Sequence, residues 1–403
     1  MSAQGSGYGR KPVFRPSRVC HEPTLVVAVS HYGHNRDRER FGASPEARGG
    51  RRLDGSGRLG PQVRRCCLLT VAALVLQMLV AGVAALTVLS PAEAAPSGGG
   101  TVRYVSPSGS DHHRGTRTKP FRTLRHGLER LRAGDTLLVR GGRYTENITN
   151  VSLRTGTRAA RITVRNYPGE RPVLRGLLWL ENPSYWVVSG LDVTWNRRND
   201  ADQHMVRVTG GTRWRLTRGE FWGARSYAAL LIAGKPSRYR IDHMYLHNTY
   251  RSNGNNQDHL LYISARSRGG VGVVERSIFA HSRNGRGIKI GPPSEGRDRV
   301  GNVQIRYNTF YDNTGPSSVQ LSYRASGISI HHNLFLRSGS DAVTAHRLKG
   351  TRNVVHHNLA WRCKGVVERG IRNVGHNRMR RFGLAPSYRP RGRVAAAYGR
   401  YAS

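Results

Sequence analysis

Side chains able to transfer protons, bind charge or donate hydrogen bonds lie in or beside successive short apolar runs of the second half of the chain. They are His259, Tyr262, Lys289, Gln320, Arg324 and His346. A lysine whose pKa lies near neutrality can take a proton from carbon, and an arginine can hold a carboxylate through two hydrogen bonds. A tyrosine or a histidine can then give a proton to a leaving oxygen. The combination indicates proton abstraction next to a carboxylate, with cations stabilising an enolate-like intermediate.

Four of these residues have expected catalytic roles. Neighbouring arginines would lower the pKa of Lys289, which makes it the candidate base. Arg324 would neutralise the carboxylate, and Tyr262 or His259 would protonate the leaving oxygen. The alternative is that Lys289 and Arg324 are ordinary solvated charges, and that His259 is a turn residue bonded to the backbone.

Further polar residues flank the same runs. Asp258, Gln320 and His346 are the candidate substrate-binding residues. Asp200 and Asp202 share a loop rich in oxygen ligands, which calcium requires. A surface turn explains these two aspartates better than a calcium site does, so calcium is a weak candidate and the sequence assigns no cofactor and no metal ligand.

The runs that carry these side chains repeat at a fixed period. Asn308, Asn333 and Asn358 each end an alternating apolar run, and successive asparagines are 25 residues apart. A constant period of this size with strand-like units indicates a solenoid. Alternation rich in Val and Ile makes each coil a β-coil. We therefore predict an all-β parallel β-helix of about nine or ten coils between Asp135 and Asn377, with the three asparagines stacked in one column.

The second strand of each coil determines what faces solvent, because successive side chains of a strand alternate between core and surface. Coils stack about 4.8 Å apart, so the outward residues should line a groove. Two longer loops, residues 250–258 and 292–300, should border this groove. The predicted outward column is Leu231, Tyr262, Lys289, Gln320 and Thr344.

The charge of the chain restricts its partners. Lys and Arg number 65 against 24 Asp and Glu, a formal net charge of +41, and only six of the basic residues are lysines. Such an excess favours polyanions. The sequence lacks zinc-finger spacing, an RNA-recognition signature and a basic zipper, which argues against nucleic acid. We expect an acidic polysaccharide as partner and a monomeric protein.

The N-terminal part predicts export. Residues 1–62 are rich in Arg, Gly, Ser and Pro and are expected to be a disordered basic extension, or to precede the true start. Residues 63–95 join Arg64-Arg65, an apolar run over residues 66–89 and Ala92-Glu-Ala94, the layout of a secretory signal. A run of this length can also span a bilayer. The prediction is a secreted protein cleaved near Ala94, and the alternative is an anchor in the cell membrane.

The remaining boundaries follow from composition and period. Residues 96–102 are a predicted linker, residues 103–380 the β-helix domain and residues 381–403 a loose basic tail. Leu124, Leu128 and Leu131 fall on one helical face. A short helix over residues 123–131 is therefore expected to cap the open apolar end of the solenoid.

The stretch from Tyr104 to Asp111, followed by Lys119-Pro-Phe121, resembles the N-terminal segment of secreted bacterial right-handed parallel β-helix proteins. This is the pectate-lyase-like group, which includes chondroitinase-B-like polysaccharide lyases. The resemblance extends to about Asn377 and implies a right-handed solenoid. In the chondroitinase-B-like lyases a Lys followed by an Arg on the next coil carries the chemistry. Lys289 and Arg324 look similar in placement.

The function expected first is β-elimination of a polymer that contains uronic acid. A non-catalytic cell-wall or carbohydrate-binding protein is the alternative from another class. A glycoside hydrolase needs two carboxyls facing the scissile bond, and the strand carboxylates show no adjacent Asp pair. A uronate C5-epimerase uses the same proton abstraction, and residues 257–260 resemble the Asp-Pro-His-Asp signature of alginate epimerases only in part. The strand carboxylates are Asp192, Glu220, Asp242 and Glu275.

Overall fold

A computed structural model describes residues 99–200, 203–225, 227–249, 258–266 and 270–402. The predicted N-terminal extension (1–62) and signal or anchor segment (63–95) lie outside the described residues, as does most of the 250–258 loop. In the part of the chain that is described, no helix is both long and apolar enough to cross a membrane.

Short strands follow one another along almost the whole described chain. The first sixteen are β1 (Val102–Val105), β2 (Thr136–Val139), β3 (Gly142–Tyr144), β4 (Asn147–Ile148), β5 (Ile162–Asn166), β6 (Pro172–Arg175), β7 (Leu177–Glu181), β8 (Trp186–Ser189), β9 (Asp192–Thr194), β10 (Val206–Thr209), β11 (Arg215–Thr217), β12 (Glu220–Trp222), β13 (Ala228–Ala233), β14 (Arg240–Asp242), β15 (Tyr245–Thr249) and β16 (His259–Ile263). The others are β17 (Gly272–Glu275), β18 (Ile278–Ser282), β19 (Arg286–Ile290), β20 (Val300–Arg306), β21 (Thr309–Asn313), β22 (Ser317–Ser322), β23 (Ala325–His331), β24 (Leu334–Ser338), β25 (Val343–His346), β26 (Val354–His356), β27 (Leu359–Trp361), β28 (Arg372–Asn373), β29 (Arg378–Met379), β30 (Gly383–Leu384) and β31 (Pro390–Arg391). Two helices complete the set, α1 (Leu124–Arg130) and α2 (Arg393–Ala396).

Three parallel sheets wind these strands into a right-handed β-helix, as predicted. The first sheet runs β1-β2-β5-β8-β11-β14-β17-β20-β23-β26-β28, the second β3-β6-β9-β12-β15-β18-β21-β24-β27-β29, and the third β4-β7-β10-β13-β16-β19-β22-β25. Because the third sheet has eight strands, eight coils are complete. The predicted nine or ten coils were too many as complete turns, since the coils that begin at β26 and β28 have no strand in the third sheet.

The asparagine column is confirmed, and its hydrogen bonds join adjacent coils. The backbone N–H and the side-chain amide of Asn308 both donate to Oδ1 of Asn333, at 2.9 and 3.1 Å. Asn333 donates in the same way to Asn358, and Asn358 to Asn377. The residue before each of these asparagines has a left-handed backbone conformation, at Tyr307, His332, His357 and His376.

The core follows from the alternation. Inward residues stack in rows, of which Phe279, Phe310 and Phe335 form one, with ring centroids 5.1 and 4.8 Å apart. All three rings are fully buried. Stacked aromatic rows give each coil the same cross-section, which keeps the outward column of the third sheet straight.

Helix α1 begins after Thr123, whose side chain accepts a hydrogen bond from the N–H of His126, a normal N-cap. The carboxylate of Glu146 accepts from two further N–H groups of the first turn, at 2.7 and 3.1 Å. Leu124, Leu128 and Leu131 are buried, as their spacing indicates. That α1 serves as a cap for the solenoid end remains a prediction.

The residues expected to form a loose tail are ordered against the second sheet. Phe382, Leu384, Val394 and Tyr398 pack on a cluster formed by Leu334, Leu359 and Ala395. The N–H of Gly399 also donates to the carbonyl of His332 at 2.9 Å. Leu334 and Leu359 point away from the main core, and the apolar side chains of this C-terminal segment cover them. The hydrophobic effect therefore favours the packing of the segment against the sheet.

Candidate functional site

The outward column of the third sheet is arranged as the alternation predicts. Parallel register pairs Leu231 with Tyr262, Tyr262 with Lys289, Lys289 with Gln320, and Gln320 with Thr344. The pairing also extends the column upstream, to Arg207 and Trp179. Seven coils thus present one aligned row of side chains.

Lys289 lies at the centre of this row in a site that disfavours its charge. Its Nζ lies 4.8 Å from the centroid of the Tyr262 ring. Burial lowers the pKa of Lys289 to about 8, and the positive charge of Arg286 acts in the same direction. A substantial fraction of this amine is therefore neutral near physiological pH, as a general base requires.

Tyr262 and His259 supply the surroundings of the lysine. Burial raises the pKa of Tyr262 to about 12, so its hydroxyl keeps its proton at neutral pH. His259 lies edge-on to Tyr262, with ring centroids 5.7 Å apart, and is buried. Its Nδ1 accepts a hydrogen bond from the backbone N–H of Arg286 at 3.2 Å. Burial, and then the charges of Lys289 and Arg286, hold the pKa of His259 well below its usual value, so the ring is neutral.

Arg286 is the cation that our reading of the sequence missed. It begins β19, three residues before Lys289, and only 9% of its surface is exposed. Burial lowers the pKa of Arg286 to about 10. The available signal was its position directly ahead of the run that contains Lys289.

Arg324 lies farther from the lysine than the predicted pairing requires. It is exposed in the turn after β22, four residues beyond Gln320, the residue in register with Lys289. The hydrogen bond and charge of Lys349, and then the charges of Arg347 and Arg324, lower the pKa of Glu295, so Arg324 lies on the side of the 292–300 loop. The structure therefore brings Arg286, rather than Arg324, close to the candidate base.

The three predicted substrate-binding residues have different surroundings. Gln320 lies in the column beside Lys289. The side chain of His346 is largely exposed at the end of β25. Its partial burial, and then the charges of Arg347, Arg286 and Lys289, lower its pKa. Asp258 is fully buried, and its Oδ2 accepts from Nδ2 of Asn284 at 3.3 Å. The substrate contact predicted for Asp258 stays a prediction, and its carboxylate is buried beside Asn284.

The calcium candidates are only partly described. Asp200 is exposed, and Asp202 lies outside the described residues. Across the described ranges, no group of three or more His, Cys, Asp or Glu side chains is arranged to hold a metal ion. Calcium thus stays a prediction that rests on the loop sequence alone.

The strand carboxylates considered for hydrolysis lie away from this column, in the first and second sheets, and arginines hold them. Arg171 bridges Asp192 and Glu220, and Arg215 binds Asp242 through two hydrogen bonds of 2.7 and 2.6 Å. Arg240 and Arg306 bind Glu275. These ion pairs join residues of different coils, and the hydrolase alternative stays a prediction.

Comparison with known proteins supports the fold. Residues 103–258 match the family described as "Pel9A-like, right handed beta helix region". A Bacillus subtilis (strain 168) protein, "Uncharacterized protein YwoF", is 41% identical over 103 residues, which cover 25% of this chain and 22% of that protein. "Pectate lyase PEL9" of Emericella nidulans is 27% identical over 131 residues, covering 26% of this chain and 32% of that enzyme. The matches thus span at most about a third of these relatives.

A solved structure of XylC with xylose has the same fold, with a TM-score of 0.50 and 13% identity over 64% of this chain and 65% of that one. The three parallel sheets, the asparagine column and the matched region all indicate the same fold, a β-helix. Residues 103–258 of this right-handed β-helix are thus similar to the Pel9A-like β-helix region.

Proposed function

We propose that the protein cleaves an acidic polysaccharide by β-elimination at the third-sheet column, with Lys289 as the base. The observation that carries this proposal is the pKa of Lys289, lowered to about 8 beside a protonated tyrosine and a second buried cation. A fold related to polysaccharide lyases and glycoside hydrolases is consistent with it. The proposal includes the class of polymer, an acidic polysaccharide that contains uronic acid, and the cleavage of its glycosidic linkage.

The proposed reaction uses the chain's own side chains at each atom. The neutral Nζ of Lys289 takes the proton from C5 of the uronate, and Arg286 stabilises the negative charge that spreads onto the carboxylate. The bond between C4 and the leaving oxygen then breaks, and a C4–C5 double bond forms. Tyr262 donates its proton to the leaving oxygen, and solvent restores both residues. His259 holds the backbone at Arg286 and acts as a positioning residue.

The test is to incubate purified residues 95–403 with a panel of polyuronates and to follow the ultraviolet absorbance of unsaturated products. Lys289→Arg keeps the charge but cannot readily deprotonate. We expect turnover to fall by about 10²–10⁴-fold with substrate binding retained. Lys235→Arg, in an exposed turn, is the matched control and should be silent.

Three results would redirect the proposal. Near-normal activity of Lys289→Arg would place the base elsewhere. Reducing sugar without unsaturated product would favour a hydrolase. Binding without any product would favour the non-catalytic alternative.

Export is the second part of the proposal, because a polysaccharide substrate lies outside the cell and residues 63–95 have the layout of a signal. N-terminal sequencing of the native protein should begin near Ala95. A native N-terminus upstream of Cys66 on a membrane-extracted protein would instead indicate an anchor through residues 66–89.

A further inference from the structure

Two pairs, each of one cation and one aromatic ring, occupy the third-sheet column in the same arrangement. Lys289 lies over the ring of Tyr262 at 4.8 Å, and the guanidinium of Arg207 lies over the ring of Trp179 at 5.3 Å. In both pairs the cation lies one coil after its aromatic partner and in register with it. The first pair belongs to the candidate catalytic centre, and the second has no role there.

One hydrogen bond fixes each member of the pair formed by Arg207 and Trp179. The indole Nε1 of Trp179 donates to the carbonyl of His204 at 2.8 Å, which fixes the ring. Nε of Arg207 donates to Oγ1 of Thr209 at 2.9 Å, which fixes the guanidinium plane. Within the described ranges, no carboxylate forms an ion pair with Arg207. Arg207 is partly exposed, and a guanidinium can bind a carboxylate through two hydrogen bonds.

The spacing of the two cations matches a polymer. Register leads from Arg207 through Leu231 and Tyr262 to Lys289, which is three coil steps. At ~4.8 Å per coil the two cations are about 14 Å apart, a distance that an extended chain of several sugars can span. Leu231 and Tyr262 lie between the two cations along the column and belong to one small apolar cluster, separate from the main core.

We propose that Arg207, supported by Trp179, binds the carboxylate of a uronate about three sugars from the one that Lys289 acts on. This inference rests on the proposed function and assigns the long axis of the substrate to the column of the third sheet. The ligand class is therefore a polyuronate whose carboxylates recur along the chain, and oligomers too short to reach Arg207 lose this contact.

The experiment compares Arg207→Gln with Arg143→Gln. Arg143 is exposed on the second sheet, so the control removes the same charge from a different face. Kinetic constants are measured on oligogalacturonates and oligomannuronates from three to eight sugars. Binding of uncut oligomers is measured by calorimetry in the Lys289→Arg background.

We expect Arg207→Gln to raise KM and Kd about five- to tenfold for the long oligomers only, because a contact made equally in ground and transition states changes KM and leaves kcat. Arg143→Gln should leave both constants unchanged at every length. An equal effect of the two variants, or an effect of Arg207→Gln that does not depend on length, would overturn the inference while leaving the proposed function intact. A wild-type protein that neither binds nor cleaves any polyuronate would overturn both.

Discussion

The chemistry of Lys289 depends on burial more than on any one partner. A solvated lysine keeps its pKa near 10.5, whereas burial at this position and the charge of Arg286 lower it to about 8. The Tyr262 ring lies 4.8 Å from Nζ and attracts the side chain in its ammonium form.

The first prediction at this scale is a pH profile. Because the neutral amine is the active form, kcat/KM on a polyuronate should rise with pH and level off above about 8. Initial rates measured at constant ionic strength give the profile. An unchanged rate between pH 6 and pH 9 would exclude Lys289 as the base.

The second prediction concerns stability. The folded-state pKa of Lys289 lies below its unfolded value, so the folded protein carries a penalty below about pH 8 that disappears as the pH rises to about 10.5. Lys289→Met removes the partly buried charge and should stabilise the protein at pH 7 on the order of 1 kcal/mol, a value reduced for screening by water. Thermal unfolding of the two proteins measures the difference. A gain that persisted at pH 11 would point to packing and not to charge.

Individual residues also mark where the sequence stopped being informative. Alternation placed Tyr262, Lys289 and Gln320 correctly, because strand geometry determines which way a side chain points. It could not show that Asp258 is buried or that Arg286 approaches Lys289, because both lie at the start of a strand, where the chain turns. The burial and the neighbours of a residue in a turn depend on tertiary contacts, which the period of the repeat does not predict.

Among the structural elements, the asparagine column explains why the β-helix could be predicted from the repeat. Each asparagine satisfies a buried N–H group of the preceding coil, so its identity and its 25-residue spacing are required together. The coil number was overestimated because the late repeats at Asn358 and Asn377 keep this asparagine but form no third strand. The order of residues 380–402 could not be predicted either, since their apolar side chains show no strand or helix period.

Asn333→Ala should destabilise the protein by about 1–3 kcal/mol, because the buried N–H of Asn308 loses its acceptor. Asn377→Ala is the matched control at the more exposed end of the column, where water can replace the lost acceptor, and should cost less. Denaturant unfolding compares them. Equal losses would show that the column adds no more than a surface hydrogen bond.

Deleting residues 381–403 should expose Leu334 and Leu359 and lower the free energy of unfolding by about 3 kcal/mol. Tyr388→Phe, which removes only the hydroxyl that bonds to Tyr245, should cost about 1 kcal/mol. Thermal unfolding with an apolar dye reports both changes. A truncated protein as stable as the full chain would mean that this segment rests on the sheet without stabilising it.

At the scale of the whole molecule, the formal net charge of +41 favours association with polyanions. Affinity for a polyuronate should therefore fall steeply as salt shortens the Debye length from ~10 Å at 0.1 M to ~3 Å at 1 M. Affinity for a neutral polysaccharide of the same length should stay constant. Equal behaviour of the two polymers, measured by calorimetry across that range, would show that charge does not govern binding.

Because the hydrogen bonds of the asparagine column repeat from coil to coil, a further coil could be inserted into the solenoid. Because Asn308, Asn333 and Asn358 make the same donations at the same interval, a second copy of residues 309–333 would insert without leaving a buried donor unsatisfied. The solenoid would become one coil longer, and the groove would lengthen by about 4.8 Å, close to one sugar. The repeat thus works as a ruler, and a variant with this duplication should prefer an oligomer one sugar longer than the natural protein does.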